Sequence, residues 1–189
     1  MRITEVYPML LPPKKEKWLM QNELIYIRYS DFLLGFYRFS DGLTLPLTED
    51  DFVIHDLLDR AKNIPEEEIV FTSLAECVGM SPSGGPETYI LTTKPGIYGA
   101  GAVLSDAAKR KMNDVFPDGF YMLPSSVHEW IVVGKGTNPT VLMDIVKDVN
   151  STDLITDDLY LADNPYEIVN GVLRVATVPG FEGVERLIL

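Results

Sequence analysis

Two histidines occur among the 189 residues, and one of them, His128, stands between hydroxyls and a carboxylate in Leu123-Pro124-Ser125-Ser126-Val127-His128-Glu129-Trp130. Such a set could do nucleophilic chemistry: Ser126 or Ser125 would attack, His128 would take up the proton, and an acidic residue elsewhere in the chain would orient the imidazole. Alternation along a strand puts Ser126, His128 and Trp130 on one face and Ser125, Val127 and Glu129 on the other. Residues two apart on a strand bring hydroxyl and ring together only through a distortion at Pro124, and no strained Gly-x-Ser-x-Gly elbow surrounds either serine. In the structural alternative, Ser125 and Ser126 satisfy backbone groups at the strand's start while His128 hydrogen-bonds beneath a loop.

Other chemistries find less support. Cys77 could act as a thiol nucleophile with His128 as its base, but it falls near the end of a predicted helix, where the dipole disfavours a thiolate. His55 has Asp51 and Asp59 one turn away on either side and reads as a solvated, carboxylate-flanked side chain. A structural zinc site needs about four Cys or His ligands, and Cys77, His55 and His128 are all the chain owns. Gly99-Ala100-Gly101 lacks the third glycine of a dinucleotide fingerprint, since Leu104 stands there. Gly134-Lys135-Gly136 resembles a phosphate loop only superficially, because Glu129 replaces its first glycine. No cofactor and no metal are expected.

The elements that would position these residues follow from the hydrophobic period. Leu24 to Tyr29 and Phe32 to Phe39 read as strands, and Leu43, Leu45 and Leu47 alternate in an edge strand carrying Pro46. Thr48 followed by Glu49, Asp50 and Asp51 starts a helix with Phe52, Val53, Leu57, Leu58 and Ala61 inward. Pro65 to Val78 reads as a second helix, with Val70, Phe71, Leu74, Ala75 and Val78 inward. Strands are predicted at Thr88 to Thr93 and Ile97 to Leu104, joined at Lys94-Pro95-Gly96, followed by a Ser105-capped helix burying Ala108, Met112, Val115 and Phe116.

Strands Phe120 to Leu123 and Val127 to Val133 come next. Pro139 then opens a helix in which Leu142, Ile145, Val146 and Val149 recur at the helical period, with Asn150 as a left-handed stop. Strands Leu159 to Ala162, Tyr166 to Val169 and Val172 to Thr177 follow, the last two around Asn170-Gly171, and Val184 to Leu189 closes the chain in apolar residues. The fold class is therefore α+β, a mostly antiparallel sheet with about four helices packed on it, in one domain over 1–189. Ser81-Pro82-Ser83-Gly84-Gly85-Pro86 marks the one candidate boundary, near 79–87, which would divide 1–79 from 88–189.

The balance of charge bears on partners. With 46% hydrophobic and 23% charged residues the composition is that of an ordinary globular protein, and no apolar run is long enough to span a membrane. A soluble cytoplasmic protein with no internal disulfide is expected from the lone Cys77 and from an opening that carries no signal pattern. A net charge of −12 argues against direct nucleic-acid binding, which needs a concentrated basic face. Acidity concentrates in two places: Glu49, Asp50, Asp51, Glu66, Glu67 and Glu68 in one, and a stretch from Asp144 and Asp148 to Asp163 in the other. The partner such surfaces suit is a basic protein; the plain alternative is a solubilising surface.

The tract Tyr121 to Glu129, followed by Met143-Asp144-Ile145-Val146-Lys147-Asp148-Val149-Asn150, resembles an uncharacterised bacterial domain-of-unknown-function family of gut clostridia, often found on mobile elements. The Leu-Pro-Ser-Ser, spacer, His-Glu pattern carries the resemblance, which extends over roughly residues 86–163 through Leu91-Thr92 and Gly99 to Ala102. It implies Ser125, Ser126, His128 and Glu129 as shared positions without assigned roles, and Trp130 departs from it where a smaller aliphatic residue is expected. A mobile-element setting implies a protein that modulates host defence or element maintenance by binding another macromolecule, an inhibitor of a nucleic-acid-handling host defence enzyme being one form of it. The alternative is a small hydrolase or transferase centred on Ser126 and His128.

Overall fold

The computed structural model describes residues 6–40, 42–48, 54–77, 79 and 87–176. Strands β1 (Val6–Leu11), β2 (Tyr26–Tyr29), β3 (Phe32–Ser40) and β4 (Leu43–Pro46) form a first antiparallel sheet around β3. β1 lies along one side of β3, with Met9 opposite Gly35, while β2 and β4 share the other side, with Tyr26 opposite Gly35 and Pro46 opposite Tyr37. The short helix α1 (Glu16–Gln21) connects β1 to β2. Neither β1 nor α1 is anticipated by the sequence pattern.

A second sheet holds β5 (Ile69–Ser73), β6 (Thr88–Thr93), β7 (Phe120–Ser126), β8 (Glu129–Gly134), β9 (Tyr166–Val169) and β10 (Val172–Val175). Its order is β10-β9-β7-β8-β6-β5, every pair antiparallel. Helices α2 (Ile54–Lys62), α3 (Leu74–Cys77), α4 (Asp106–Val115) and α5 (Pro139–Asn150) complete an α+β fold.

Strand alternation gives the second sheet two working faces. Met122, Trp130 and Val132 face a core that contains residues from Tyr7 to Leu173 and so joins both sheets. Leu123 and Val133 face the other way, against Leu142 and Val146 of α5. Three rings make the junction between the sheets: Phe32 of β3 lies 6.0 Å from Trp130 and 5.0 Å from Tyr166, and Trp130 meets Tyr166 edge-on at 5.6 Å. Offset and edge-on geometries of this kind suit the ring quadrupoles.

Several predicted elements come out differently. The expected helix from Pro65 to Val78 is a 3₁₀ turn at Glu66–Glu68, then β5, then the one-turn α3. Ile69, Val70, Phe71 and Thr72 are branched or aromatic, and pairing of Ile69 with Thr93 through Ser73 with Tyr89 outweighs the apolar spacing that suggested a helix. The expected strand from Ile97 to Leu104 is instead a fully buried 3₁₀ segment, Gly99–Leu104. Its glycines permit approaches a strand would not: a Cβ on Gly101 would lie 2.0 Å from the Pro8 carbonyl oxygen. No strand forms at 159–162, where Leu161 is instead buried among the core residues.

Other expectations are met locally. Ser105 accepts a hydrogen bond from the Ala107 N–H and Asn138 from the Thr140 N–H, capping α4 and α5. In α4, Ala108 and Met112 are buried as expected but Val115 is exposed. Asn150 is not a left-handed stop; it belongs to α5, and its Nδ2 donates to the Ala162 carbonyl and to Asp163, each at 2.8 Å. Asn170 and Gly171 both take positive φ, 51° and 79°, at the β9–β10 turn. Glu49 to Val53, the Ser81 to Pro86 boundary and Val184 to Leu189 lie outside the described residues.

Candidate functional site

The sequence tract singled out for chemistry is a hairpin, not one strand. β7 runs to Ser126 and β8 starts at Glu129, so Val127 and His128 are the turn and Ser126 pairs with Glu129 across it. An irregularity between Pro124 and Ser126 shifts the register. The expected strand beginning at Val127 is thus replaced by a turn whose tip is built into the protein. Val127 is buried, its N–H donates to the Leu159 carbonyl at 2.9 Å, and its own carbonyl accepts from the Ala100 N–H at 3.3 Å.

The two serines and Glu129 make local bonds, whereas His128 bonds across the fold. Ser125 Oγ donates to Glu129 Oε1 at 3.2 Å. Ser126 Oγ accepts the backbone N–H of His128 at 3.1 Å, so the contact between these residues runs through the main chain. The His128 carbonyl accepts from the Thr92 hydroxyl at 2.8 Å, and His128 Nδ1 accepts from the Tyr98 N–H at 2.9 Å. An imidazole whose Nδ1 accepts an N–H is the Nε2–H tautomer, so both ring nitrogens are committed: one lone pair is in use and the other nitrogen carries hydrogen. Burial holds the His128 pKa below its ordinary value, with the Glu129 charge partly offsetting it. A neutral ring in this tautomer has no free lone pair with which to deprotonate Ser126.

Tyr98, Thr92 and Gly99 belong to the site; the sequence pattern includes Thr92 and Gly99 in the family resemblance and does not single out Tyr98. Tyr98 sits in the left-handed region at φ 52°, and its ring lies 5.8 Å from that of His128 and 5.7 Å from that of Tyr37. Burial pushes the Tyr37 phenol up to about 12, and its hydroxyl donates to the Ile97 carbonyl. The Thr93 hydroxyl, 1% exposed, has no hydrogen-bond partner among the described residues. Gly99 is the signal that could have pointed here: a Cβ would stand 2.0 Å from Thr92 Oγ1 and 2.6 Å from the His128 carbonyl.

The remaining candidates lie elsewhere. Cys77 is exposed at the end of the one-turn α3. His55 is exposed on α2, 3.5 Å from Asp59. Among the described residues no group of three or more His, Cys, Asp or Glu side chains is placed to hold a metal ion, and no helix is long and apolar enough to cross a membrane.

The acidic candidates divide sharply. Glu49, Asp50 and Asp51 lie outside the described residues. Glu66 pairs with Lys111 at 3.1 Å, and Glu68 accepts from the Tyr7 hydroxyl at 2.9 Å with Lys94 nearby at 3.9 Å. Glu67 is exposed. In the second region, Asp157 and Asp158 pair with Lys14 and Lys15, and Asp163 accepts from Asn150 and Tyr160. Glu167 is buried between Lys135 and Arg174.

Asp144 and Asp148 are different: both are exposed on α5, with no ion-pair partner among the described residues. Beside them Val141, Ile145 and Val149 are exposed at 49%, 47% and 44%. Of the four residues that recur at the helical period, Leu142 and Val146 form the inward contact, while Ile145 and Val149 face out. The apolar pattern of α5 covers more of its circumference than the sheet can bury.

A family model described as a family of unknown function (DUF5688) matches residues 52–168. The chain belongs to that family. The DUF5688 span contains α2 through most of β9, and with them the hairpin tip and all of α5; the first sheet, β1 to β4, precedes it. No curated protein and no solved structure matches the chain.

Proposed function

We propose that this DUF5688 protein is an acidic interaction protein that engages a basic, amphipathic segment of a partner protein through the outer face of α5. The observation that carries the reading is the coexistence there of Val141, Ile145 and Val149, spaced four residues apart and half exposed, with the carboxylates Asp144 and Asp148, which have no ion-pair partner among the described residues. An apolar row of this spacing suits an amphipathic helix as its occupant, and flanking carboxylates favour Lys and Arg at that helix's margins. The net charge of −12 would accelerate encounter with a basic partner and disfavour nucleic acid.

In its narrower form the proposal is a cytoplasmic, mobile-element-encoded inhibitor of a nucleic-acid-handling defence enzyme. Support for that form is the likeness of the Leu123 to Glu129 tract to the gut clostridial family, together with the acidity a basic groove would attract.

The test is a titration of a helical peptide with leucines at four-residue spacing and flanking lysines, at low and high salt. Binding that weakens with salt, and on the order of tenfold weaker binding for Asp144→Lys with Asp148→Lys or for Ile145→Asp, supports the proposal. Glu67→Lys, at an exposed carboxylate on the 3₁₀ turn outside α5, serves as the control. Salt-independent affinity, or an equal loss with Glu67→Lys, overturns it.

A further inference from the structure

We infer that the tip of the β7–β8 hairpin is held to the 3₁₀ segment by a protonation-sensitive latch, in which neutral His128 accepts the Tyr98 N–H and the protonated ring releases it. The latch is independent of what binds α5.

The geometry allows one assignment. Tyr98 donates its backbone N–H to His128 Nδ1 at 2.9 Å. Once Nδ1 carries a proton it is a donor, and the ring has no acceptor left to offer. Two N–H groups then point at each other in a half-buried space, which costs the bond and leaves the Tyr98 amide unsatisfied.

Tyr98 is a residue for which that loss matters. It is the N-cap of the 3₁₀ segment, in the left-handed conformation at φ 52°, ψ 24°, with no side-chain cap. A non-glycine residue stays there only when its surroundings hold it. The segment that follows it is closely confined: Gly99 lies against Thr92 and the His128 carbonyl, and Gly101 against the Pro8 carbonyl. The strain and the bond that offsets it therefore meet at one peptide.

The surroundings of the ring set the direction of the response. Glu129 of β8 is the charged group that acts on it; Tyr98 packs beside it, with Tyr37 of β3 beyond. Ser126 of β7 and Thr92 of β6 bond the His128 backbone, so the main chain stays anchored while the ring changes state. Burial outweighs Glu129 and lowers the pKa, which puts release on the acid side of the ordinary histidine value.

Hydrogen exchange and histidine NMR on the whole chain test this. Above its midpoint His128 should show the Nε2–H tautomer, and that midpoint should lie below the ordinary histidine value. The Tyr98 amide should lose protection, corrected for intrinsic exchange, on the order of tenfold through the same midpoint, the equivalent of one lost hydrogen bond. His128→Asn, whose Oδ1 can replace Nδ1 as acceptor without titrating, should keep Tyr98 protected at both pH values, while His128→Leu should leave it unprotected at both. Unchanged protection through the His128 midpoint, a neutral Nδ1–H tautomer, or the same pH-dependent loss in His128→Asn overturns the latch.

Discussion

Trp130 Nε1 donates to the Ala100 carbonyl at 2.8 Å, joining a strand of the second sheet to the buried 3₁₀ segment. The indole is fully buried and packs on both Phe32 and Tyr166. The bulk at position 130, which departs from the smaller residue expected by resemblance, is thus the ring that fills the space between the sheets.

Trp130→Phe should keep much of the packing but leave the Ala100 carbonyl without its donor, costing about 1–3 kcal/mol. Trp130→Ala should cost about 3–5 kcal/mol by opening a cavity among the rings. Urea denaturation of the two variants reads the difference; equal losses would show that the hydrogen bond contributes nothing beyond ring volume.

Gly101→Ala places a Cβ 2.0 Å from a backbone oxygen that cannot swing away. It should lower stability by roughly 1–3 kcal/mol or more, since either β1 or the 3₁₀ segment must move. Gly136→Ala, with open space around it, is the comparison and should change little. A melting temperature for Gly101→Ala equal to that of Gly136→Ala would show that β1 yields freely.

Burial of Glu167 would raise its pKa, but Lys135 at 2.8 Å and Arg174 at 3.1 Å together outweigh that and hold it below the usual carboxylate value. A lowered folded-state pKa means stability present above the unfolded-state value and lost as pH falls through the folded one. Glu167→Gln should therefore be less stable at neutral pH, where two cations lose their partner, and should show a shallower loss of stability in acid. Denaturation midpoints measured from neutral pH down to the acid limb check both; an unaltered acid slope would remove Glu167 from the linkage.

Ser126 Oγ accepts the His128 N–H across the hairpin turn. Ser126→Ala should cost about 1 kcal/mol through loss of the acceptor for the His128 N–H. A serine-directed fluorophosphonate should leave Ser126 unlabelled at neutral pH. Stoichiometric labelling abolished by His128→Asn would instead establish the catalytic pair.

How much of this was legible depended on how local each cause is. Asn170-Gly171 announces its hairpin because both residues accept positive φ, and the Ser105 and Asn138 caps bond N–H groups two residues away. The α+β class follows from such local signals taken together. Ile69 to Ser73 did not announce its strand, because a spacing compatible with a buried helix was resolved only by pairing with Thr88 to Thr93.

The sequence by itself determined the charge, the poverty of metal ligands and the tract holding Ser125, Ser126, His128 and Glu129. Only the tertiary structure decided what that tract does. It folded Val127 and His128 into a turn, set an amide from a residue thirty positions away against the imidazole, and gave Glu66, Glu68 and Glu167 counter-charges that Asp144 and Asp148 do not find among the described residues. The physical reason is range: capping and turn preferences act over a few residues, whereas the proton a histidine holds and the partner a carboxylate finds depend on groups that only folding brings together.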